Sequence, residues 1–173
     1  MVGRVTSKSG FFAKVDIGST EDVSLSLLAF EGATKRNRPN IEVGDTVFAR
    51  VICPSRDVEP ELVCITSGLK RDGMGILMTP NSHFSQMIQV SVHTARKLLS
   101  EECQLLKMLG EKYRFEISVG MNGWIWISSK IPDNLIFISN TIKLSESWRP
   151  EMETKFYDDL KGDHEFTLVK KKK

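Results

Sequence analysis

The stretch from Tyr113 to Ser129, YRFEISVGMNGWIWISS, constrains this chain more than any other. Tyr113, Phe115, Ile117 and Val119 alternate with Arg114, Glu116 and Ser118, the period-two pattern of a strand with one buried face. After Gly120-Met121-Asn122-Gly123 the alternation resumes, with Trp124 and Trp126 on one side and Ile125 and Ile127 on the other. Asn-Gly between two alternating runs predicts a hairpin, because both residues tolerate the positive φ of tight primed turns. The tetrapeptide also has the Gly-x-x-Gly form of a loop that admits a phosphate. Its place among the neighbouring elements therefore decides its role.

Length and composition set the outer bounds. At 173 residues the chain has room for one large or two small domains. A net charge of +2 is too weak to attract a polyanion through the whole field, so such a partner must be met by local patches. Cys53, Cys64 and Cys103 are widely spaced, fit neither a disulfide framework nor a zinc site, and read as reduced thiols of an intracellular protein. No apolar run reaches membrane-spanning length and the N-terminus lacks a signal peptide's apolar core, so no membrane partner is expected. The sequence opens almost inside a strand pattern, so a further N-terminal portion is expected. Lys170 to Lys173 form a basic tail that reads as disordered.

The first half is a series of short strands. Residues 2–6 and 11–17 alternate around Ser7-Lys8-Ser9-Gly10, with Phe11, Ala13, Val15 and Ile17 on the expected core face. Phe12 and Lys14 then point outward, the aromatic-plus-cation pairing that a nucleotide's base and phosphate need; alternatively a neighbouring element covers Phe12. A strand over 22–28 leads into a polar loop from Glu31 to Asp45 that carries Lys35, Arg36 and Arg38. That cluster can meet phosphate, dock on an acidic protein or remain solvated. Residues 46–52 form the next strand, with Val47, Ala49 and Val51 inward and Phe48 and Arg50 outward, and 61–66 form the last. Five short strands with a long third connection predict a five-stranded OB-fold barrel. The segments VGRVTSKSG, VDIG, SLSLL and VGDTVFARV resemble an S1 RNA-binding domain over about residues 2–67, with Ser24 where many such domains carry a histidine.

Glycine-rich GLKRDGMG (68–75) marks the expected boundary between domains 1–67 and 68–147, with a charged C-terminal helix and tail in 148–173. Beyond it the reading is a strand within 74–91 and a helix from about Val92 to Leu99. A second helix is expected with Ser100 as N-cap, Glu101 and Glu102 in its first turn and Gly110 at its end. The hairpin follows, then a helix after Pro132 buried through Leu135, Ile138 and Ile142. The overall class is α+β, an all-β S1-like barrel followed by β-α-α-β-β-α, the order of a KH domain. A KH domain clamps the nucleic-acid backbone with Gly-x-x-Gly between its first two helices. Here that junction is Leu99-Ser100-Glu101-Glu102-Cys103, without glycine and with two carboxylates. Gly120, Asn122 and Gly123 lie between strands instead, so a structural turn is the favoured reading, with Trp124 and Trp126 as packing anchors.

An S1-like barrel followed by a KH-like domain, with FEGATKRNRPN, GMGIL and VGMNGWIWI, resembles the RNA-binding cap subunits of the RNA exosome over about residues 2–146. The resemblance implies a further N-terminal domain, a seat on a ring of RNase PH-like subunits beside other cap subunits, and RNA routed toward a 3′–5′ exoribonuclease for rRNA processing and RNA degradation. It implies residence in nucleus, nucleolus and cytoplasm, and a structural GxNG element between the two domains. Candidate RNA-contacting residues are Lys8, Phe12, Lys14, Lys35, Arg36, Arg38, Phe48 and Arg50. His83, His93 and His164 stand in unrelated contexts, and no nucleotide-binding loop or metal-ligand spacing occurs, so no catalysis, cofactor, metal or small-molecule substrate is expected. Three readings follow: a non-catalytic cap subunit, a free-standing RNA-binding adaptor, or an assembly scaffold with incidental RNA contact.

Overall fold

A computed structural model describes residues 1–52, 59–65, 73–77, 83–101, 103–148, 152, 155 and 156. The expected boundary at 67/68, Cys53, Glu102, His164 and the basic tail lie outside these residues. In the first domain the strands are β1 (Val2–Ser9), β2 (Phe12–Asp16), β3 (Val23–Phe30), β4 (Thr46–Phe48), β5 (Arg50–Ile52), β6 (Glu61–Cys64) and β7 (Gly75–Ile76). They hydrogen-bond in the order β5-β6-β3-β2-β1-β4-β7. β4 and β5 are one chain segment interrupted at Ala49. β4 pairs with β1 and β5 with β6, so that segment joins the two ends of the row and closes the barrel. β3 and β6 run parallel and the remaining pairs are antiparallel, giving the OB architecture expected from the sequence.

Inward positions at period two fill the barrel: Val5, Ala13, Val15, Leu25, Leu27 and Val47 are each at most 2% exposed. Two expectations change here. Phe11 leaves the core face, because β1 slips register between Val5 and Ser7 and Gly10 turns at φ +57°, which puts Phe11 in the turn at 42% exposure. Gly75 and Ile76, expected with the second unit, pair with β4 in the barrel sheet.

The second domain contains β8 (Phe84–Gln89), α1 (Val92–Leu99), α2 (Leu105–Lys112), β9 (Glu116–Val119), β10 (Trp124–Ser129) and α3 (Pro132–Ser145), with sheet order β8-β10-β9. This is the expected β-α-α-β-β-α order. Ile125 and Ile127 face the helices and meet Ala95, Leu109, Ile138 and Ile142, all fully buried. Burying each such side chain contributes roughly 1.5–3 kcal/mol, so this sheet–helix seam is the main stabilising layer of the domain. Ser91 caps α1, its hydroxyl accepting from Thr94 N at 3.2 Å, whereas the N-cap position of α2, expected at Ser100, is held by Gln104. Ser100 instead ends α1, its N–H donating to the carbonyls of Arg96 and Lys97. α2 starts at Leu105 and passes through Gly110 to Lys112. Trp148 stacks on Phe156 with ring centroids 4.6 Å apart, and both rings join this second core, so the start of the charged C-terminal segment packs on the KH fold.

Candidate nucleic-acid interface and interdomain turn

The Gly-Met-Asn-Gly turn reaches from the second domain into the first. Gly120 N donates to Trp124 O at 2.8 Å and Gly123 N to Gly120 O at 3.1 Å, closing the turn on itself. Asn122 is thereby aimed outward at the barrel. Its Nδ2 donates to the carbonyls of Val2 (2.7 Å) and Ile17 (2.8 Å), and its Oδ1 accepts from Val2 N at 3.2 Å. A carboxamide is the side chain that offers two donors and an acceptor in one plane. Both glycines are sterically required. A Cβ at Gly120 would fall on the Asn122 side chain and 2.7 Å from Val2 N, and one at Gly123 (φ +82°) would fall on Val90 O. Beside this network the Trp124 indole lies over Gly18, within 3.3 Å of where a Cβ would stand. Trp126 is 5% exposed. The Asn122 carboxamide and the backbone amides of Gly120 and Gly123 are thus spent on protein backbone.

At the clamp position between α1 and α2, several described backbone groups are also bonded within the protein. Ser100 N is bonded within α1, Cys103 N donates to Ser100 O at 3.1 Å, and Glu101 O accepts from Lys107 Nζ at 3.0 Å.

The candidate residues of the barrel fall into three groups. At one end, the Arg38 guanidinium sits 4.6 Å from the centroid of the Phe11 ring, and Lys8 Nζ donates to Ile41 O at 2.9 Å. These contacts, with Ile41 fully buried, pin the long loop to the β1–β2 turn. Within the loop Thr34 N donates to Asn37 O (2.9 Å) and Asn37 N to Thr34 Oγ1 (3.0 Å), a local turn that presents Lys35 and Arg36 to solvent. Phe12 stands beside this cluster at 54% exposure.

Lys14 lies further along β2, opposite Ser24, and lines a hollow with Glu21, Asp22 and Glu59. Phe48, half-buried, pairs with Val2, whereas Phe12 pairs with Ser9. The two residues therefore pair with opposite ends of β1, whose partner positions lie roughly 23 Å apart at about 3.3 Å per residue. Arg50, on β5, is exposed. The structure brings Lys8, Phe12, Lys35, Arg36 and Arg38 to one end and leaves Lys14, Phe48 and Arg50 outside that group. Phe11, which joins the group, escaped the sequence reading because its place in the alternation matched the core face.

Comparison with known proteins places this geometry. Residues 1–75 match the family model for the S1 domain of exosome complex component RRP40, and residues 86–133 match a KH domain model. Exosome complex component RRP40 of Bos taurus is 39% identical over 160 residues, covering 92% of this chain and 57% of the relative. The Drosophila melanogaster protein of that name is 40% identical over 146 residues, covering 84% and 61%. The Saccharomyces cerevisiae one is 38% identical over 125 residues, covering 71% and 50%. The chain thus spans about half to three-fifths of the length of these relatives. A crystal structure assigned to an exosome complex RNA-binding protein superposes with a TM-score of 0.68, covering 92% of this chain and 90% of the other; at 21% identity the likeness concerns the fold. With an RRP40-type S1 match at its start and a KH match behind it, the chain is similar to exosome complex components RRP40 across both domains.

Proposed function

We propose that this chain acts as a non-catalytic RNA-binding cap subunit of an RNA exosome, in nucleus and cytoplasm. In this role it guides single-stranded RNA with the loop end of its S1 barrel while it is seated on RNase PH-like ring subunits beside other cap subunits. The observation that carries the reading is the cluster of Phe11, Phe12, Lys35, Arg36 and Arg38 at one end of the barrel. Stacking surface and cation are what a strand presents to be met, a π-face and a phosphate per nucleotide. Lys35 and Arg36 would meet phosphates, Phe12 a base, and Arg38 and Lys8 would hold the loop in shape. Lys14, set among carboxylates, and Phe48 and Arg50, remote from the cluster, would contribute less. The KH domain would bind no backbone through its clamp position, where the Ser100 and Cys103 amides bond to protein carbonyls and the sequence is acidic.

The test is salt dependence. For single strands the log–log slope of affinity against salt is roughly −0.7 per phosphate neutralised, so Lys35→Ala/Arg36→Ala should flatten it by about 1.4. An unchanged slope would remove these cations from the RNA path. A second reading, an assembly scaffold, draws support from the same pinned loop, since Lys8 and Arg38 already serve internal contacts. Under it the double variant would keep RNA affinity yet fail to recover ring subunits in a pull-down read by native mass spectrometry. Recovery of the parent chain without ring subunits would favour the free-standing adaptor.

A further inference from the structure

Beside the basic turn the barrel carries an open hollow of about 370 Å³, lined by Phe30, Asn37, Arg38, Pro39, Met74 and Ile76. We propose that it receives one unstacked base of the RNA strand whose phosphates pass over Lys35 and Arg36, an inference that rests on the RNA-guiding role proposed above. Position is the first argument. Asn37 and Arg38, which line the hollow, follow Lys35 and Arg36 directly, so a strand held at the turn would have a base within reach of it. Chemistry is the second. Phe30, Met74 and Ile76 supply an apolar interior. Gly75, at φ +136°, borders the Phe30 ring with backbone rather than side chain, a would-be Cβ lying 4.0 Å from its Cδ1.

The rim is selective. The local turn is closed by the backbone N–H and C=O of Asn37, so its carboxamide is not consumed there and can present a donor and an acceptor to a base edge. Glu31, also in the lining, accepts from exocyclic amino groups and repels a phosphate, keeping the strand's backbone outside. The volume falls at the lower end of the roughly 300–1,000 Å³ of small-ligand sites, suited to one base and its sugar rather than to a stacked run.

The experiment uses the 173-residue chain and two labelled oligoribonucleotides of equal length, oligoadenylate and an abasic backbone, followed by fluorescence anisotropy across salt. Ala33→Leu fills the cavity from its wall, and Asn37→Ala removes the edge reader while keeping the turn's backbone bonds; thermal melts confirm that each variant is folded. Each should lower oligoadenylate affinity about tenfold and leave abasic affinity and the salt slope unchanged. The Lys35→Ala/Arg36→Ala variant should weaken both RNAs. If both cavity variants bind oligoadenylate like the parent while the cation variant weakens, the base pocket is wrong and the RNA-guiding role stands. Equal weakening of both RNAs by the cavity variants also overturns the pocket, since it reports loop displacement. If the cation variant changes nothing, the RNA-guiding role fails and the pocket with it.

Discussion

Asn122 concentrates the logic of the turn in one side chain. The end of its carboxamide that faces two carbonyls must be the NH2, so the network itself fixes the amide orientation. Asn122→Ala would strand the Val2 N–H and two carbonyls at a partly buried site and should cost about 1–3 kcal/mol. Asn122→Asp should cost more, because it keeps an acceptor for Val2 N but turns a carboxylate oxygen toward those carbonyls. Urea melts decide the order, and an Asp variant as stable as the parent would refute this network. Gly123→Val, at positive φ with its Cβ driven onto Val90 O, should lose at least about 2 kcal/mol; a parental melting temperature would show that the turn tolerates side chains. The sequence made the glycines legible as turn formers. It hid the target of Asn122, because the acceptors lie 120 and 105 residues away and are backbone atoms, which carry no residue identity. Cys64 gives a second residue-scale expectation. Burial pushes its thiol up to about 12, and its Sγ lies 3.6 Å from Phe48 O. The native thiol stays neutral where an unfolded one ionises, so stability is lost as pH rises through 9 toward 12. At pH 8 iodoacetamide should spare Cys64 in peptide maps of the native protein and label it after unfolding. Native labelling at the unfolded rate would contradict its burial.

At the scale of elements, periodicity locates the strands and helices with a buried face, although it sets Phe11 on the core face and begins the hairpin strand at Tyr113 rather than Glu116. The barrel strands, the hairpin and α3 follow from their alternating or helical apolar positions. Misplaced boundaries arose where two local signals competed. Ser100 with Glu101 has the composition of a helix start, but Cys103 and Leu105 must both be buried, which delays α2 to Leu105 and leaves Ser100 to close α1. Gly110 reads as a stop, yet a side chain there would meet only open space, and the buried Leu105–Leu109 pair carries the helix past it. β7 spans only Gly75–Ile76, too short to hold a period. The start of α1 has two supports, the Ser91 hydroxyl on Thr94 N and the Glu146 carboxylate at the end of α3, which accepts from Ser91 N at 3.0 Å. Ser91→Ala should therefore cost about 1 kcal/mol. Glu146→Gln, altering an exposed bond, should cost less than about 0.5 kcal/mol. Hydrogen exchange in the first turn of α1 checks this; faster exchange for Glu146→Gln than for Ser91→Ala would reverse the assignment.

For the whole molecule, what matters is that two separate cores are coupled through specific contacts. Among the described residues the barrel core and the KH core have no buried residue in common, and links between them include the Asn122 hydrogen bonds, the seat of Trp124 on Gly18 and the approach of β1 to β10. Partly polar junctions between domains leave domain motion as the default unless specific contacts hold it. A guide that must deliver a strand gains from a fixed relation between its RNA-facing end and its docking surface, because rigidity lowers the ordering cost of assembly. The coupling can be measured. Trp124, Trp126 and Trp148 all lie in the second domain, so tryptophan fluorescence reports its unfolding, and hydrogen exchange in β2 and β3 reports that of the barrel. In the parent the two probes should give one coincident transition. Gly18→Val adds a Cβ at φ +77° against the indole and should dislodge it. Combined with Asn122→Ala, it should split the transition, each core keeping its secondary structure while losing its neighbour's support. RNA affinity of the isolated chain should change little, because the cluster around Arg38 lies within the barrel. Recovery of ring subunits should fall. Coincident transitions in the double variant would mean that the coupling runs elsewhere, and the turn would then be an internal feature of the KH domain rather than the lock between the two.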